Sequence, residues 1–257
     1  MNGLIRFSFP LSARMQGFLQ VRDALDYLQR GEASGQPYLW LQACADLRLS
    51  LFGEQGRRPG LADVVGLLAG MQENLDTLAD EHPRYGEQIM RSCATLERHE
   101  KNLRGGIEEV MNILSSDALI LAWHNCQKKH DWLGHQEHFP QAVQALWSEK
   151  RRRETLQEAL HPLAEAVESL HGMLHDYVGW EQRLATAGAD HIRMDKDKEC
   201  GLLVIGLSHD RVQAGLVPGI SGNRMAVRLR FQCWPVGEVA RQAEEDVRYS
   251  LMLVPVA

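Results

Sequence analysis

No apolar stretch in the 257-residue chain approaches the ~18 residues that a membrane-spanning helix requires. The opening segment, Met1 to Pro10, carries one Arg and no apolar run of signal-peptide length, so a cytoplasmic chain without membrane insertion is expected. Cysteine is scarce and scattered. Cys44, Cys93, Cys126, Cys200 and Cys233 include no Cys-x-x-Cys pair, which argues against a disulfide framework and a zinc ribbon and leaves small buried apolar residues as their expected role. Also missing are a Gly-x-Gly-x-x-Gly turn after a strand, a phosphate-binding loop and a Gly-x-Ser-x-Gly elbow. No catalytic constellation emerges, so a protein without enzymatic activity or cofactor is expected. A net charge of −6 excludes a general nucleic-acid binder.

What remains is ordinary globular material, 44% hydrophobic and 24% charged, arranged in two kinds of pattern. Leu4 to Phe9 alternates, with Ile5, Phe7 and Phe9 on one side, and predicts a strand; Pro10 ends it and Ser12 is placed to cap a helix. Helical stripes then follow: Met15, Phe18, Leu25 and Leu28; Leu41, Cys44, Leu47 and Leu51; Leu61 through Leu78; and Ile89, Cys93, Leu96 and Leu103, closed by Gly105-Gly106. A shorter apolar piece spans Leu119 to Trp123, and Gln127 to Pro140 is a polar excursion. The helical pattern resumes at Ala142 and runs to about Leu184, with a break predicted at His161-Pro162, where the proline suits the first turn of a new helix.

After that the period changes. Asp190 to Glu199 reads as a charged loop and Leu202 to Ser208 as a strand. Arg224 to Phe231 reads as a half-buried strand, with Met225, Val227, Leu229 and Phe231 opposite Arg224, Ala226, Arg228 and Arg230. Val247 to Leu253 is another strand, and Pro218, Gly219, Ser221, Gly222 and Asn223 supply turn chemistry. The expected fold is therefore α+β. A helical bundle domain over 11–184 precedes a small antiparallel β domain over 185–257, built from the C-terminal strands and joined by the N-terminal strand 3–9.

Three histidine or basic groupings invite chemistry. His124, Cys126, His130, His135 and His138 are dense enough to suggest zinc, but their spacing matches no helical or hairpin ligand pattern, and exposed loop histidines are the simpler expectation. His171 and His175 lie one helical turn apart without the Glu of a His-Glu-x-x-His site, which predicts a surface face. Lys150 to Arg153 is bracketed by Glu149 and Glu154 and reads as a solvated helix face.

The Arg strand is different in kind. From Gly201 to Ala257 six Arg meet five acids, a net +1 that leaves −7 on residues 1–200. Arg224, Arg228 and Arg230 on one face of one strand repel one another unless an anion answers them. Two answers are open: internal pairing with Glu244, Glu245 or Asp246, or a basic strip for an acidic peptide, which Arg grips through its planar fork.

The order of motifs resembles the ZapD family of Z-ring-associated cell-division proteins. The carriers of the resemblance are Phe9-Pro10-Leu11-Ser12-Ala13-Arg14-Met15-Gln16-Gly17-Phe18-Leu19, Leu160-His161-Pro162-Leu163, and Ile220-Ser221-Gly222-Asn223-Arg224 running into Arg230-Phe231. The likeness covers nearly the full length. It implies a non-enzymatic, cytoplasmic homodimer at the mid-cell division ring that binds the acidic C-terminal tail of FtsZ and bundles its filaments during septation. It also implies partner-binding residues on the basic strand. Arg230 falls on one such position, Arg224 keeps the basic character of another, and Arg228 stands in for a family Arg where this chain has Ala226. Basic positions of the helical part appear here as Gln20 and Ala118, which leaves a second contact surface there undetermined. The competing classes are a metal-dependent enzyme using the His-rich loop 124–138 and a nucleic-acid adaptor, which needs aromatic neighbours on the Arg strand, where only Trp234 is close. Elemental analysis of the purified protein is expected to find no stoichiometric metal; about one tightly held zinc per chain would favour the enzyme instead.

Overall fold

Two distant stretches of the chain fold together. One unit joins Met1–Gln16 to Gly172–Ala257, and Gly17–His171 forms the other. The computed structural model describes residues 3–53, 59–81, 83–129, 139–176, 178–194 and 200–255. The fold is α+β, with a helical part and antiparallel sheets that include the N-terminal strand.

The helices are α1 (Ala13–Ala33), α2 (Pro37–Phe52), α3 (Pro59–Glu81), α4 (Gly86–Ser116), α5 (Ala118–Lys129), α6 (Phe139–Ser148) and α7 (Lys150–Asp176). Ser12 caps the first, its Oγ accepting the Met15 N–H at 3.2 Å. Buried stripes face inward: Phe18, Val21 and Leu28; Trp40, Leu41, Leu47 and Leu51; Val64, Leu68 and Leu75; Leu156, Leu163 and Leu170.

Two expected helix breaks do not occur. α4 runs straight through Gly105-Gly106, because Leu103, Ile107, Val110 and Leu114 continue its buried stripe. That packing outweighs the roughly 1 kcal/mol that each glycine costs in a helix. α7 likewise passes through Pro162 unbroken, with Leu160, Leu163, Ala166 and Val167 buried around it. A Cβ on Gly106 would stand 3.6 Å from Pro162 Cγ, so these two imperfect turns meet each other.

Asp117 ties the joint between α4 and α5. Its Oδ1 accepts the Leu119 and Ile120 N–H groups at 2.9 and 3.0 Å, and its Oδ2 pairs with Arg152 Nε at 2.9 Å. The basic run is therefore not simply a solvated face: Arg152 is held by Asp117, and the Arg153 guanidinium lies 4.5 Å from the Trp147 ring centre. His171 is half-buried, and Arg22 Nη1 donates to its Nε2 at 2.6 Å. Cys44 and Cys200 are buried, as expected of small apolar residues.

The β unit is two packed sheets rather than the single four-stranded sheet that the recognised strands suggest. Its strands are β1 (Leu4–Pro10), β2 (Glu181–Ala185), β3 (Ala189–Arg193), β4 (Cys200–Ser208), β5 (Leu216–Asn223), β6 (Ala226–Cys233), β7 (Arg241–Gln242) and β8 (Val247–Pro255), with a short helix α8 (His209–Gln213) after β4. One sheet runs β1-β4-β8-β2 and the other β3-β6-β5, with β7 beside β6. The N-terminal strand pairs antiparallel with β4 from Leu4↔Ser208 to Pro10↔Leu202. Phe7, Phe9, Leu203, Ile205, Tyr249 and Leu251 of the first sheet meet Ile192, Val227, Leu229 and Phe231 of the second in one core. Leu202, Val204, Met252 and Val254 on the first sheet's other face are buried too, which explains the unbroken apolar run in β4.

Three segments depart from expectation. Glu181–Ala185 is strand, not helix, and pairs with β8. Ala189–Arg193 is strand, not loop, and pairs with β6. The turn-like residues from Pro218 to Asn223 belong to an edge strand that pairs with β6, where the missing Pro218 N–H falls on the open edge.

Asp190 points inward between the sheets, the feature that hid β3. Tyr249 Oη donates to Asp190 Oδ2 at 2.5 Å, and Arg183 Nε donates to the same oxygen at 3.1 Å. Burial, then the Asp190 hydrogen bond and charge, push the Tyr249 phenol well above its ordinary value. The folded state thus keeps a proton that the unfolded state releases above about pH 10, so this contribution to stability is present below about pH 10 and is lost as pH rises beyond it. Tyr249→Phe is expected to cost about 1–3 kcal/mol near neutral pH, the cost of withdrawing a donor from a half-buried carboxylate. It should also flatten the loss of stability at alkaline pH. Chemical denaturation of both proteins at pH 7 and at high pH checks both effects.

Candidate partner-binding face

The β6 strand is central in its sheet, so one of its faces meets the core and the other meets solvent. Val227, Leu229 and Phe231 are buried; Ala226, Arg228 and Arg230 are exposed. Directly paired residues of antiparallel strands share a face. His191 of β3 pairs with Arg228, and Arg193 pairs with Ala226, so both exposed side chains join the Arg face. On the β5 side the partners are Gly219 opposite Arg230 and Ser221 opposite Arg228. Small residues thus flank the guanidiniums and leave them standing above the sheet.

Arg224 lies elsewhere than the alternation predicts. It sits with Met225 in the turn between β5 and β6, where Asn223 Oδ1 accepts the Met225 N–H at 2.9 Å. Met225, expected to be buried, is 55% exposed there. Arg224 is therefore at the turn end of the strip rather than on the strand.

For Arg228 and Arg230 the internal-pairing alternative does not match the geometry. Among the described residues, no carboxylate comes within 4.0 Å of an Arg228 or Arg230 nitrogen. Glu244 and Glu245 are exposed, and Asp246 Oδ1 instead accepts the Ala187 N–H at 2.9 Å. Asp246 thereby steadies the β2–β3 turn, where Ala187 has φ 47° and Gly188 φ 68°.

Sequence reasoning missed His191 and Arg193. Their signal was present, because Asp190, Ile192 and Met194 alternate with them, but a charged residue on the inward side disguised the period. Gln20 and Ala118, the other positions raised by resemblance, are both exposed, on α1 and α5.

No family model matches the chain, and no curated protein matches it. The remaining sites offer less. His124 lies in α5, while His130, His135 and His138 fall outside the described residues, as does the side chain of Cys126. Among the described residues no group of three or more His, Cys, Asp or Glu is placed to hold a metal ion, and no helix is long and apolar enough to cross a membrane. The helical unit has a cleft of about 560 Å³ between α1 and α7, lined by Arg22, Glu32, Trp40, Arg153, Glu168 and His171. Its charges are mixed, and Arg22 is already engaged by Asp23 and His171.

Gly222 carries the strip's geometry at the β5–β6 hairpin. Its φ is +147°, and a Cβ there would run into the Ala226 carbonyl and lie 2.7 Å from Val227 Cα. Gly222→Ala is expected to cost about 1–3 kcal/mol. It should also raise hydrogen–deuterium exchange selectively across residues 216–233, and unchanged exchange there would refute this account of the turn.

Proposed function

We propose that this chain is a non-enzymatic adaptor of the cytoplasmic division ring that binds the acidic C-terminal tail of FtsZ on the outer face of β6 and bundles its filaments. The observation that carries the proposal is the unanswered charge: Arg228 and Arg230 stand exposed beside His191 and Arg193 with no carboxylate in pairing range among the described residues. A cationic face without internal anions costs stability through self-repulsion and gains it back when an anionic ligand arrives. A disordered acidic tail suits this face, since it can spread carboxylates along a strip where Arg offers bidentate donors. The resemblance to the ZapD family adds the identity of the tail. Arg224, at the turn end, extends the strip.

Bundling requires that one particle hold two tails, so the working unit is a homodimer with two such faces. Tails of one filament lattice are then captured at high effective concentration, and avidity exceeds the affinity of either face.

Replacing Arg228 and Arg230 together by Ala tests the proposal. Each charge-assisted bond is worth about 1.5–3 kcal/mol, and about 1.4 kcal/mol is tenfold, so tail-peptide affinity should fall about a hundredfold or more. Wild-type binding should weaken as salt rises, because exposed charges are screened beyond about 8–10 Å near physiological ionic strength. The double variant should melt no lower than the wild type, as no buried group is removed and like-charge repulsion is relieved. If it stays folded and still bundles FtsZ filaments normally, the strip is a solvated strand face and the proposal fails.

A further inference from the structure

We infer that Trp234 is the apolar anchor of this face, so the segment that docks there carries an apolar side chain beyond its acidic residues. The inference rests on the reading of the strip as a tail-binding surface. Three large apolar side chains stand in the loop that follows β6: Trp234 is 57% exposed, Val236 102% and Val239 87%. Of these, an exposed Trp at the end of a cationic strip is an interaction signal rather than a packing one.

The Trp234 side chain is not loose. The Trp234 backbone N–H donates to the Gly215 carbonyl at 2.8 Å, which continues the β5–β6 ladder one step past the strand. Strand alternation then places its side chain on the face of Arg228, Arg230 and Gln232. The indole Nε1–H donates to Gln232 Oε1 at 3.2 Å, so the polar edge of the ring is satisfied by the strip itself while much of the ring meets water. A ring already held in place loses little freedom when a ligand covers it, and Trp beside Arg is the composition of binding hot spots.

Spacing defines the ligand. At about 3.3 Å per residue, Arg228 and Arg230 are about 7 Å apart and Trp234 is about 13 Å beyond Arg230. The docked segment runs along the β6 face, and the sheet's edges are poor for adding a strand. Pro218 removes a donor from the β5 edge, and Asp190 Oδ1 accepts the His191 N–H of β3 at 2.6 Å.

The test uses the full-length protein and two labelled synthetic peptides, the FtsZ tail and a version with its apolar residues replaced by Ser and its acids kept. Trp234→Ala should lower tail affinity about tenfold, a hot-spot effect, with the melting temperature and the salt dependence unchanged. Trp234→Phe, which keeps a ring, should stay within about threefold of the wild type. The Ser-substituted peptide should bind the wild type and Trp234→Ala with the same reduced affinity. Wild-type affinity in Trp234→Ala, while Arg228→Ala/Arg230→Ala loses binding, overturns the anchor and leaves the strip standing. A wild-type protein that binds neither peptide overturns both. Lost self-association in Trp234→Ala with tail affinity intact assigns the ring to a contact between copies and overturns the anchor.

Discussion

Burial of Val227, Leu229 and Phe231 between two sheets is the constraint from which the rest of the β unit follows. Full burial of each such side chain contributes about 1.5–3 kcal/mol. A slip of one residue would expose all three and drive Arg228 and Arg230 into the core, so the register of β6 is strongly specified. The exposed cations are the other half of that choice. β6 is flanked by β3 and β5, and both must present small or polar groups outward for the guanidiniums to stand clear. Ala189, Gly219 and Ser221 meet that requirement.

The same unit tolerates one polar cluster inside. Asp190 on one sheet receives hydrogen bonds from Tyr249 and Arg183 on the other, and the Phe231 and Tyr249 rings lie 5.4 Å apart beside it. A half-buried carboxylate with two donors from the facing sheet is satisfied only at one alignment of the sheets, so it adds specificity where apolar contacts alone would permit sliding. Asp117 does similar work in the helical unit, where one carboxylate caps α5 and holds Arg152.

These structural duties have an electrostatic consequence. Asp190 and Asp246 are each committed, the first between the sheets and the second to the β2–β3 turn. A chain of net charge −6 thereby keeps a local positive face. Net charge governs solubility and long-range behaviour, but recognition depends on the local field, which here favours an anionic segment.

Amphipathic stripes and strict alternation were legible in the sequence because each reports only which side of one element is covered. That sufficed for the α+β class, for β1, β4, β6 and β8, and for the exposure of Arg228 and Arg230. It did not reveal β2, β3 or β5. Asp190 sits inward, and Pro218 and the glycines of β5 resemble a turn until an edge position excuses them. Nor did it keep α4 and α7 whole, since glycine and proline lower local helix preference while the neighbouring helices supply the compensating burial. Sequence alone determined the periodicity of each segment, because side-chain direction is a local property of the backbone. Only tertiary structure decided that His191, Arg193 and Trp234 share a face with the Arg strip, because strand pairing, ladder register and a cross-strand carboxylate are agreements between residues far apart in the chain.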